Sequence, residues 1–98
     1  MINKEEVLYN CNALVAAYLD KEKDFDKMYV KACFSDENVA DHLFDCTRDN
    51  CGEVMTNILT MENNPYDRIA VCVTNNKGDW KTLGTVDIIP KTEENAAG

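Results

Sequence analysis

Residues 68–74, RIAVCVT, are apolar on both sides of an alternating pattern. In an extended chain Ile69, Val71 and Val73 point one way, and Ala70 and Cys72 point the other. A strand with one wet face alternates apolar with polar, so this run predicts a central strand buried on both faces. Such a strand cannot fold alone. It requires hydrogen-bonding neighbours on both edges and cover for its side chains. One neighbour follows at once. NNKGD (75–79) reads as a hairpin loop and WKTLGTVDII (80–89) as the returning strand, with Gly84 a candidate bulge. Pro90 ends that strand, and KTEENAAG reads as a loose tail over 91–98.

Two upstream segments fit either period. VMTNILTM (54–61) precedes the turn signal ENNP, and the short connection to the next strand favours a hairpin, giving a three-stranded C-terminal meander. In FDKMYVKACF (25–34), Met28, Val30, Ala32 and Phe34 alternate with Lys27, Tyr29, Lys31 and Cys33. Its Tyr, Val, Cys and Phe content favours one more strand, at 27–34.

Two helices are expected to cover this sheet. Val7, Leu8, Cys11, Leu14, Val15, Tyr18 and Leu19 form one stripe at 100° per residue, and Asn3 with Glu6 resembles a capping box. This predicts a helix over 4–21. Ser35 is a good N-cap, Asp36 and Glu37 suit a first turn, and Val39, Ala40, Leu43, Phe44 and Thr47 make an apolar side. Together they predict a second helix over 36–50, with Gly52 as its stop. The expectation is an α+β fold, an antiparallel sheet covered on one face by two helices. A chain of 98 residues with 45% hydrophobic content supplies one core, hence a single domain over 1–90.

Charge bounds the function. Ten basic against 18 acidic side chains give a net charge of −8. That balance disfavours direct contact with nucleic acid or an anionic membrane, and it suits a basic protein partner. On the predicted second helix, Glu37, Asp41, Asp45 and Asp49 fall four apart and line one ridge with no cation in it. Like charges at that spacing cost about 0.2–0.5 kcal/mol per pair. A solvated helix face explains much of this ridge, and a partner-binding face explains its single sign. Trp80 and Tyr66, beside loops, are the weaker aromatic candidates for an interface, with Tyr9 off the main stripe of the first helix.

HLFDCTRDNCGE (42–53) raises a different chemistry. On a helix His42 and Cys46 would share a face at a spacing fit for two zinc ligands, with Cys51 or Cys33 to complete the set. No compact Cys-x-x-Cys pair supports it, so no metal and no cofactor is expected. A Cys46–His42 nucleophile is opposed by Asp41, Asp45 and Asp49, which would raise the thiol pKa. Gly-rich phosphate loops and Gly-x-Ser-x-Gly are absent from the sequence, so no enzyme is predicted. Five cysteines are an odd number, and no secretory leader or membrane span is read, so free thiols in the cytoplasm are expected.

The leading expectation is a non-enzymatic protein-binding module with an acidic face. Its most concrete form is an inhibitor or regulator of a nucleic-acid-binding protein. Small inhibitors from phages and mobile elements resemble it in size and charge alone. The alternatives are a zinc- or thiol-dependent protein using His42 and Cys46, and a structural subunit of an oligomer.

Overall fold

A computed structural model describes residues 3–88. In chain order the elements are α1 (Lys4–Lys21), β1 (Lys27–Cys33), β2 (His42–Cys46), α2 (Cys51–Leu59), β3 (Arg68–Thr74) and β4 (Trp80–Asp87). The strands form one antiparallel sheet in the order β2-β1-β3-β4, covered by the two helices. Because β2 and β3 both run antiparallel to β1, they are parallel to each other, and α2 carries the chain over β1 between them. The expected α+β architecture is therefore present. The tail at 91–98 lies outside the described residues. No described helix is long and apolar enough to cross a membrane.

The central strand is β3. Ile69, Val71 and Val73 meet Met28, Val30 and Ala32 of β1, Cys11 and Val15 of α1, and Met55 and Ile58 of α2 in a single core. On the opposite face Ala70 and Cys72 are also buried, although neither described helix lies there. Their cover comes from neighbouring strands. Tyr29 of β1 and Trp80 of β4 stack at 5.0 Å, 29° from parallel, bridging across β3 above small side chains.

α1 begins as its sequence dictates. The Asn3 side-chain oxygen accepts hydrogen bonds from the backbone N–H of Glu5 and Glu6, at 3.1 and 3.2 Å. Gly84 lies in β4 where the register shifts opposite Val71 and Cys72, so the bulge is real. It also sits beneath Tyr18 of α1. A Cβ there would come within 2.2 Å of the Tyr18 ring, so only glycine lets the ring lie down on the strand.

Three expectations need correction. The helix over 36–50 does not form; the chain runs as a loop and then as β2. The local signal at Asp36 is satisfied by a turn instead, its carboxylate accepting from the Asn38 N–H at 2.9 Å. Val39, His42, Phe44, Cys46 and Thr47 are poor helix formers, and period 2 turns His42, Phe44 and Cys46 toward the helical layer. Second, the meander strand at 54–61 is α2, and β1 takes its place beside β3. Cys51, Met55 and Ile58 are buried at helical spacing, while Glu53 and Asn57 face water. Third, Gly52 does not stop a helix. It is the second residue of α2, packed against Asn12 of α1.

Candidate functional site

The two predicted sites both fall on or around β2, an edge strand of five residues. Extension changes their geometry. Residues four apart on a helix stand about 6 Å apart, but on a strand they stand about 13 Å apart. The acidic ridge is therefore not a ridge. Glu37 is exposed in the loop before β2, Asp41 immediately precedes the strand, Asp45 lies within it, and Asp49 sits in the turn that follows. Asp41 forms an ion pair with Lys31 at 3.9 Å, half open to solvent and worth little.

The same stretching separates His42 from Cys46. Both face the helical layer, with Phe44 between them. His42 Nδ1 is 2.7 Å from the Tyr66 hydroxyl, and its ring packs edge-on against Phe34, Phe44 and Tyr66. This is an aromatic cluster holding down the edge strand, not a ligand set. Among the described residues no group of three or more His, Cys, Asp and Glu side chains converges. Tyr66, expected as an exposed anchor, is buried in that cluster. Trp80 is 54% exposed on the open face of the sheet, resting on Tyr29.

All five cysteines are free. Cys46 instead meets Cys51, the first residue of α2, and the two thiols share a hydrogen bond. That bond favours the Cys46 thiolate and holds its pKa below the ordinary value. The same bond, reinforced by complete burial, pushes Cys51 up. Burial raises Cys11 and Cys33 as well. Cys46, half-buried and with its thiolate favoured, is therefore expected to react first with iodoacetamide at pH 8. The other four thiols should wait for unfolding. Peptide mapping after a short labelling pulse checks this, and early label on Cys11 or Cys51 would contradict it.

What the segment between β1 and β3 concentrates is charge. Residues 34–67 contain Asp36, Glu37, Asp41, Asp45, Asp49, Glu53, Glu62 and Asp67 against Arg48 alone, so this third of the chain carries nearly the whole net charge of −8. The segment leaves the sheet after β1 and returns as β3, and in between builds the β2 edge and α2. Arg48 does not neutralise it. Its guanidinium donates to the Lys23 carbonyl at 2.8 Å and lies 4.6 Å over the Phe25 ring, turned toward the loop after α1.

Beside these acids runs a groove of about 480 Å³ between β2 and the outer flank of α2. Leu43, Phe44, Val54, Ile58 and Met61 form its walls, and Asp45 and Asn57 its polar rim. Leu43 and Met61, 50% and 42% exposed, both line it, so apolar surface is open to solvent here. Sequence reasoning passed over this groove because it treated residues 43 and 44 as the inner side of a helix. The usable signal was the alternation His42, Phe44, Cys46 against Leu43, Asp45. No protein-family model, curated protein or solved structure matches the chain.

Proposed function

We propose that this protein is a non-enzymatic binding module that engages a basic protein through the acidic end formed by β2, its flanking loops and α2. The observation that carries this reading is the segregation of charge. Nearly the whole negative balance lies in one excursion from the sheet, and its single arginine is bound elsewhere. Carboxylates left without compensating cations in one part of the molecule produce a directional field, which steers a positively charged partner and fixes its orientation. A protein surface built to bind phosphate fits that field, so an inhibitor or regulator of a nucleic-acid-binding protein in the cytoplasm is the most specific form of the proposal.

The test is capture from a native-host lysate on immobilised protein, at about 0.05 M and about 0.5 M salt, between which the screening length shortens roughly threefold. The expected result is a basic protein retained at low salt and released at high salt. Asp41→Lys with Asp45→Lys should lose it while keeping the wild-type circular dichroism spectrum and urea midpoint. Both residues are exposed, and neither belongs to the core. Retention by the double variant, or indifference to salt, would overturn the charge-based reading.

A further inference from the structure

β2 and β4 end the sheet on opposite sides, and the two edges differ. β4 has the devices that discourage strand pairing. Its register is broken opposite Val71 and Cys72, and it carries Lys81, which forms an ion pair with Glu22. β2 lacks both of these devices, although it is short and carries one charge, Asp45. Its register with β1 is unbroken over all five residues, and it holds neither lysine nor proline. No described residue pairs with its outer side. A free edge leaves a row of backbone donors and acceptors directed outward. Here that row borders the apolar groove under α2.

An edge strand facing a helix across an apolar groove can accept one more strand, whose backbone pairs with the edge and whose alternate side chains enter the groove. The geometry points to such a site between β2 and α2, and its occupant is an extended partner segment in which large apolar residues alternate with lysine or arginine. This deepens the binding proposal above and rests on it for the sign of the partner.

Charge complementarity selects that occupant. Asp45 is on the groove's rim, Glu53 and Glu62 adjoin its lining residues in sequence, and no basic side chain lines it. An incoming strand has period 2. When its apolar side chains point toward Phe44 and Ile58, the intervening ones point to the opposite face of the sheet, where Asp45 lies opposite Tyr29. Lysine or arginine there meets Asp45 and Asp41. A second copy of this chain is a poor occupant, since two molecules of net charge −8 would join at their most acidic ends. The chain's own last residues, with Glu93 and Glu94 against Lys91, match the rim no better.

The probe is a fluorescein-labelled nine-residue peptide alternating lysine with valine and isoleucine, titrated against the full-length protein by fluorescence anisotropy. Three companions accompany it: the same peptide with alternate backbone nitrogens methylated on the edge-facing side, one with glycine replacing every apolar residue, and one with glutamate replacing lysine. The parent peptide is expected to bind, and each companion to bind at least about tenfold more weakly. Leu43→Ser with Met61→Ser, two exposed positions, should weaken the parent by about tenfold and leave the urea midpoint near wild type.

Equal binding of the methylated peptide would overturn strand addition. Equal binding of the glycine peptide, or an unaffected Leu43→Ser/Met61→Ser variant, would overturn the groove. No binding of the parent peptide would overturn both. In each case, retention of a basic lysate protein that the Asp41→Lys/Asp45→Lys variant loses would leave the broader binding proposal standing. Loss of that protein by neither variant would end the two together.

Discussion

Met55→Ala is expected to lower the free energy of unfolding by about 2–5 kcal/mol. Met55 is completely buried and is among the largest fully buried side chains of the protein. It stands in the middle of α2, facing the core formed by β1, β3 and α1. Truncation removes its transfer free energy and leaves a cavity that a nine-residue helix, tied on both sides, collapses into only partly. Asn57, two residues on and exposed, provides the control, and Asn57→Ala should change stability by less than about 0.5 kcal/mol. Urea midpoints of the two variants test the helical phase of residues 51–59. As a strand, this segment would place 55 and 57 on the same face with comparable costs. Equal midpoints would contradict α2.

Gly52→Val should cost about 1–3 kcal/mol, through overpacking. A Cβ on Gly52 would fall 1.9 Å from Asn12 Oδ1 and 3.3 Å from the Asn12 Cα. The first contact is with an exposed side chain that can rotate away. The second is with the backbone of α1 and can be relieved only by moving the two helices apart. Gly52→Ala meets the same atoms but gains up to about 1 kcal/mol of helix propensity, so its net effect should be much smaller than that of valine. Asn12→Ala should rescue alanine at position 52 and not valine. This non-additivity, read from the four variants by urea denaturation, separates the side-chain contact from the backbone contact. Additive costs would mean that the helices do not meet here.

The parts of the fold legible in the sequence are those whose pattern serves one partner. α1 has a long apolar stripe and a cap. β3 and β4 are rich in β-branched residues and have a five-residue loop between them. The strand expected over 27–34 matches β1 to within one residue. Residues 36–61 were misread because local and tertiary preferences conflict there. Ser35, Asp36 and Glu37 resemble a helix start, yet the following residues satisfy a strand that packs the rings of His42 and Phe44 against Tyr66, which lies more than twenty residues away. VMTNILTM fits both periods, and only packing against α1 and β1 decides in favour of helix. The candidate site suffered most, since it lies within that conflict. Its acidic content was visible from composition. Its arrangement around a free edge was not, because a helix has no edge.

The excursion between β1 and β3 also governs how the chain reaches this state. β3 and β4 are joined by a short loop, so their hairpin can form in microseconds. The pairing of β1 with β3 is different. Cys33 meets Arg68 at one end and Lys27 meets Thr74 at the other, so the ladder closes only after everything between has been gathered in. Closing a loop of that length costs about 3 kcal/mol in its length-dependent part alone. The acidic segment resists the compaction, its carboxylates repelling one another as they approach. The docking of β1 is therefore expected to be the slow step of assembly, and salt should accelerate it, as stopped-flow refolding would show. The charge that is concentrated for recognition is also what the chain must overcome to fold.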